Sequence, residues 1–203
     1  GGKWEKKNYY YLMCSYGSLS SVYHMRCGRS ERPEGPYTDV NDNPLVCSTD
    51  LGTGNKMLGS YRWQSGYDRF CPGHNDMFGT ASGVNLIAYH CRTNYFIERK
   101  QSASNNFHYL FLSQYAFNSD GWPVVNANRY AGERLQAITA DELLGVSQGA
   151  FEAVLFTQRA ETVKSVAVRL NADGTVSGAY RGKWRLYGDY YISLILSGEE
   201  YLG

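Results

Sequence analysis

The chain has 203 residues, enough for one large domain or two small ones around a sizeable buried core. Tyr, Trp and Phe make up 15% of it and Gly contributes 22 residues, which excludes a disordered chain, since these are poor in aromatics. Twenty Lys and Arg stand against 19 Asp and Glu, so the net charge of +1 gives no field to attract nucleic acid or an anionic membrane surface. No apolar run approaches the ~20 residues of a membrane helix. The sequence opens Gly1-Gly2-Lys3, without an initiator Met or a signal peptide, and reads as a processed chain or a fragment.

In chain order the patterns are those of strands. Tyr9 to Cys14 is a compact aromatic run of the kind found in a central strand. Val22 to Ser30 alternates and reads as the next strand, closed by the Pro/Gly turn Arg32 to Tyr37. A long connection rich in Gly, Asn and Ser runs from Asp39 to about Gly73. Val84 to His90 and Tyr109 to Phe117 are further strands, and Asp120-Gly121-Trp122-Pro123 introduces the next apolar stretch. The Tyr-rich unit and the Val84 unit lie about 75 residues apart, a faint repeat that fits consecutive four-stranded propeller blades.

After about Leu135 the texture changes. Thr139 to Leu144, with Asp141 and Glu142 after a cap-like Thr, is the best helix candidate. Ser165 to Leu170 alternates, Asn171-Ala172-Asp173-Gly174 is a strong hairpin signal, and Thr175 to Tyr180 is the return strand. Gly182 to Leu186 and Tyr190 to Ser197 continue the meander. The expected fold class is all-β, with a first unit over 1–135 and a small β-barrel or sandwich over 136–203.

Five cysteines, Cys14, Cys27, Cys47, Cys71 and Cys91, form an odd set without a Cys-x-x-Cys pair, which argues against structural zinc and against a disulfide-rich scaffold. Cys14 and Cys27 fall inside strand-like runs and read as buried free thiols. His24, His74, His90 and His108 show no helical metal-binding spacing.

Three stretches carry a resemblance by their order and spacing. The first is Tyr9 to Gly17, with Arg26 to Ser30 and Glu34 to Asp39. The second is Pro72-Gly73-His74-Asn75-Asp76-Met77-Phe78, with Tyr89 to Arg92. The third is Asp120 to Val125, with Arg129 to Glu133. Together they resemble the second half of the arabinanases of glycoside hydrolase family 43, and the tail resembles the small β domain appended to extracellular endo-arabinanases.

The resemblance implies the last two to three blades of a five-bladed β-propeller whose active site lies in the central funnel. It implies inverting hydrolysis of α-1,5-linked arabinan, by two carboxyl groups about 6.5–9.5 Å apart with a water between base and sugar. The acid must be kept protonated by its surroundings. The acid Glu and two Asp of the family match no position here. Glu5 lies too close to Tyr9 to be the acid and reads as a solvated loop charge. We therefore expect no catalytic carboxylate in this chain, no hydrolysis by the chain alone, and a second polypeptide or a missing N-terminal half that completes the ring.

The resemblance also marks site residues. His74 is expected to point into the channel and help hold a hydrated calcium, a hard cation whose remaining ligands are mostly water. Asn75, beside it, Tyr16, at a strand end, and Arg92 are the candidate substrate-binding residues. Trp122 and Arg129 read as blade packing. Trp184, Tyr187, Tyr190 and Tyr191 read as the core of the tail domain rather than as a sugar-contacting patch. The expected location is secreted or periplasmic, inferred from the polymeric substrate. The alternatives are a non-catalytic carbohydrate-binding module and a related exo-acting family member.

Overall fold

The structure is a computed structural model describing residues 8–46, 52–66, 68–93, 108–118, 120–134, 136–187 and 191–202. Glu5, Cys47, Leu135 and Tyr190 lie outside the described residues. Apart from one short helix and a tight turn, the described elements are β-strands.

The first sheet has three strands, β1 (Tyr10–Tyr16), β2 (His24–Ser30) and β3 (Asn55–Leu58). β1 and β2 pair antiparallel from Tyr10↔Ser30 to Tyr16↔His24. β2 is buried along nearly its whole length, as a strand covered on both faces should be. Its polar members are satisfied internally. The Nδ1–H of His24 donates to Val22 O (2.7 Å), leaving Nε2 to accept from Arg26 Nε (2.8 Å). Burial and the Arg26 charge hold His24 below the usual imidazole range, consistent with this neutral tautomer.

The second sheet continues with β4 (Tyr61–Arg62), β5 (Asp68–Gly79), β6 (Asn85–Arg92), β7 (Tyr109–Phe117) and β8 (Pro123–Val125), an antiparallel ladder in chain order. The stretch from Asp39 to Gly73, expected as one long connection, in fact contains β3, β4 and the first half of β5. These strands are too short, or too irregular, to show alternation. Their loop is organised by buried Asp39, whose carboxylate accepts from the backbone N–H groups of Asn41 (2.9 Å), Asn43 (3.0 Å) and Gly54 (3.2 Å). Met25, Cys27, Leu58 and Tyr61 pack with Ile87, Tyr89, Cys91 and Phe111 in one core that joins the two sheets.

The helix is α1 (Ala140–Gly145). Thr139 and Glu142 form a capping box, which satisfies two of the helix's orphan backbone donors. A tight turn over Val146–Gly149 leads into the third sheet. Its strands are β9 (Ala150–Ala153), β11 (Val166–Leu170), β12 (Thr175–Gly178), β13 (Gly182–Tyr187), β14 (Tyr191–Leu196) and β15 (Glu199–Leu202), neighbours in that order. The Asp173-Gly174 hairpin forms as expected, with Gly174 at φ 80°, a conformation that Gly adopts without steric cost. Val168, Leu170, Val176, Trp184 and Leu196 are the core of this sheet. Trp184 is buried, and its indole N–H donates to Asn171 O (2.8 Å).

One element crosses between the two bodies. β10 (Val163–Lys164) pairs in parallel with β4, Val163 opposite Tyr61 and Lys164 opposite Arg62. Val154, Phe156 and Val163 pack on the core of the first two sheets. Fully buried Arg26 donates through Nη1 to Gln158 Oε1 (2.7 Å) and through Nη2 to Gln158 O (2.5 Å), and Lys56 Nζ donates to Arg159 O (2.6 Å). Val154, Phe156, Gln158, Arg159, Val163 and Lys164 thus belong by contact to the first body, although they follow α1 and β9 in the chain, while Leu155 between them packs on the third sheet's core.

Candidate functional site

β5 packs against β1 and β2, so strands of the two first sheets face each other. β5 is not regular. Its pairing with β6 shifts register on either side of Gly73, and Cys71 and His74 both take φ 53°. A non-Gly residue in the left-handed region is uncommon and marks a place where the surroundings fix the backbone. Here the fixing contact is the His74 N–H, which donates to Ser15 Oγ of β1 (2.9 Å). Gly73 is required beside it, because a Cβ there would come within 2.1 Å of Tyr23 Cε1.

The bulge brings His74 to the start of a row of three imidazoles. The His74 and His90 rings lie 6.0 Å apart, and those of His90 and His108 lie 4.5 Å apart and nearly perpendicular. The Nδ1 atoms of His90 and His108 are 2.8 Å apart. Tyr23 stacks on His90 at 5.7 Å with planes 9° from parallel. Burial, then the neighbouring His108, His74 and Arg92, hold His90 below the usual imidazole range, and burial with Arg92 does the same for His108. Neutral imidazoles can donate from one nitrogen and accept at the other, so the row can hydrogen-bond sugar hydroxyls or offer a lone pair to a cation.

The sequence-predicted residues are only partly gathered here. His74 is exposed and in the row. Arg92 is close enough to act electrostatically on His90 and His108, and its Nη2 donates to Cys71 Sγ (3.3 Å). Asn75 turns toward β1, its Nδ2 donating to Met13 Sδ (3.4 Å). Tyr16 lies against β2, stacked on His24 at 6.1 Å with the Arg26 guanidinium 6.0 Å from its ring. Sequence reasoning gave no role to His108 and none to Tyr23. The available signal was that His90 and Arg92 share one face of β6 by period-2 alternation, so that a side chain at the start of β7 would meet them.

Among the described residues, no group of three or more His, Cys, Asp or Glu is arranged to hold a metal. Calcium takes six to eight oxygen ligands; exposed His74 would supply at most one nitrogen, so an ion held here would have to keep most of its water. None of Cys14, Cys27, Cys71 and Cys91 is in a disulfide. Burial pushes the Cys27 thiol up to about 12, so it is inert as a nucleophile.

The model of the family described as glycosyl hydrolases family 43 matches residues 4–123, and that of a C-terminal lipocalin-like domain matches residues 127–203. The chain belongs to glycoside hydrolase family 43. It is 30% identical over 215 aligned positions to the extracellular endo-alpha-(1->5)-L-arabinanase 2 of Bacillus subtilis, covering 96% of this chain and 43% of that protein. It is 29% identical to the extracellular endo-alpha-(1->5)-L-arabinanase of Thermotoga petrophila, covering 94% and 42%. The family 43 YxiA protein from Bacillus licheniformis superposes with a TM-score of 0.83 at 28% identity, over 96% of this chain and 45% of that one. The endo-1,5-alpha-L-arabinanase structure from Thermotoga petrophila superposes at 0.77 with 24% identity, over 96% and 44%, a likeness of fold. The chain thus spans under half the length of these relatives. Its fold is a partial β-propeller followed by a small β domain.

Proposed function

We propose that this chain forms the last blades and the appended β domain of an endo-α-1,5-L-arabinanase that acts with inversion. The observation that carries this reading is the match across both bodies to two extracellular arabinanases. On this reading residues 1–135 are the blades and 136–203 the appended domain. The general acid and the two Asp belong to further blades, supplied by a preceding segment or a second polypeptide. This chain contributes one wall of the funnel. His74 holds one position on a hydrated calcium, and Arg92, Asn75 and Tyr16 border the sugar. The protein works outside the cell, where its polymeric substrate is found. Among the described residues no helix is long and apolar enough to cross a membrane.

Chemically, the chain's part is to position and not to cleave. Exposed imidazoles donate to and accept from sugar hydroxyls, and the Arg92 guanidinium holds hydroxyls or a neighbouring carboxylate. The test is hydrolysis of linear α-1,5-arabinan by the protein with its ring complete. Release of oligosaccharides whose new anomeric centres are inverted, seen by proton NMR at early times, is the expected result. A complete ring that binds arabinan without cleaving it makes the protein a carbohydrate-binding module and rejects the enzyme. The 203-residue chain alone is expected to release nothing.

A further inference from the structure

A trough of about 740 Å³ opens where the second sheet meets the third, outside the histidine row. Trp63, Ser65 and Asn128 line it from the first body, and Ala150, Phe151 and Glu152 from β9. We propose that this trough binds a stretch of a neutral pentose polysaccharide. That the polymer is arabinan rests on the function proposed above.

The walls are held in place before any ligand arrives. Trp63 is half-buried and meets Tyr61 edge to face at 5.7 Å, so its ring is held by the core behind it. Phe151 packs on the core of the third sheet. Oε2 of Glu152 accepts from Gln64 N–H (2.9 Å) and from the Ser165 hydroxyl (2.6 Å), tying the loop after β4 to the start of β11. The backbone of Asn128 is anchored at both ends. Its N–H donates to Asn126 Oδ1 (2.9 Å) and its carbonyl accepts from Ser113 Oγ (3.0 Å).

The chemistry of the lining selects the ligand. Two aromatic rings offer apolar faces that suit the C–H faces of a sugar, while an amide, a hydroxyl and a carboxylate offer partners for its hydroxyls. The size lies within the roughly 300–1,000 Å³ of small-ligand sites, and the open form lets a polymer enter and leave along its length. Among the described lining residues the one charged group is the Glu152 carboxylate, which repels uronates, sulfated glycans and nucleic acid. A bound chain would touch both bodies at once.

The test is affinity electrophoresis of the protein in gels containing linear arabinan, with neutral xylan and a polyuronate in parallel. Wild type should be retarded by arabinan and not by the polyuronate. Trp63→Ala should weaken that retardation about tenfold, as expected for losing one well-packed aromatic contact. Ser65→Ile, at an exposed position, removes a hydroxyl partner and fills part of the trough with a branched side chain; it should do the same, which keeps the test sharp if Trp63→Ala misfolds. Retardation that both folded variants leave unchanged overturns the proposal, as does wild type running freely in both neutral gels. Trp63-dependent retardation by xylan alone upholds the trough and overturns arabinan as its polymer, whatever the complete enzyme does to arabinan in solution.

Discussion

The Nδ1 atoms of His90 and His108 face each other at 2.8 Å, a separation that two lone pairs would not tolerate. One ring therefore carries its proton on Nδ1 and the other accepts it there. With Tyr23 stacked on the other side, His90 is gripped between two neighbours and presented to His74. The site is a set of mutually supporting rings on β5, β6 and the start of β7.

His74→Ala in the complete enzyme should lower kcat by roughly tenfold to a hundredfold, the usual cost of loosening a metal's surroundings. It should also remove any protection that calcium gives against heat. Initial rates and melting curves with and without a chelator measure both. Unchanged rates together with unchanged calcium protection would remove the metal role.

Gly73→Ala should cost about 1–3 kcal/mol of stability, the usual range for an overpacked site. The added methyl cannot coexist with the Tyr23 ring, which must leave its stack on His90. Pairing it with Tyr23→Ala should recover most of the loss, because the two residues occupy the same space. A double-mutant cycle by urea denaturation reads the coupling; additive losses would show that the clash is relieved elsewhere.

Arg26→Met should destabilise the protein by about 3 kcal/mol or more. It leaves the buried Gly54 carbonyl and the buried Nε2 of His24 without their donor, each such loss costing about 1–3 kcal/mol, and it also removes the contacts to Gln158. Gln158→Ala removes one side-chain acceptor and keeps the backbone contact, so about 1 kcal/mol is expected. Limited proteolysis in the 154–164 segment should accelerate in Arg26→Met far more than in Gln158→Ala.

Lys56 gives a pH signature. Burial first, and then the Arg26 charge, lower its ammonium to about 8 against a partial offset from Glu161. Between about pH 8 and the unfolded value near 10.5, the unfolded chain holds a proton that the folded one has lost. The Lys56 contribution to stability therefore increases as pH rises through that window and is flat below it. Urea midpoints measured from pH 7 to 10 should rise less steeply in Lys56→Met than in wild type.

How much of this was legible follows from how local each signal is. Thr139 and Glu142 are three residues apart, so the capped helix could be read directly, as could the Asp173-Gly174 hairpin. The ordered motifs around Tyr9, His74 and Trp122 marked the family and singled out His74 as a candidate. The histidine row was hidden because its members come from separate strands joined by long connections, and Tyr23 looked like any strand aromatic. Arg26 is wholly buried, and no local signal shows it, because its partner Gln158 lies 132 positions away. Trp184 was correctly read as core, since a small sheet has few other side chains large enough to fill it.

The parallel pairing of β10 with β4 gives the chain a modularity that differs from its sequence modules. The two family matches meet between residues 123 and 127, which invites recombination at that joint. A chimera spliced there would carry Gln158, Phe156 and Val163 away with the wrong partner. It would leave the blade with an uncovered edge at Tyr61 and the Arg26 guanidinium beneath it without its two Gln158 acceptors. In evolution, as in engineering, the unit that can be exchanged without loss is the blade together with the strap that returns to it.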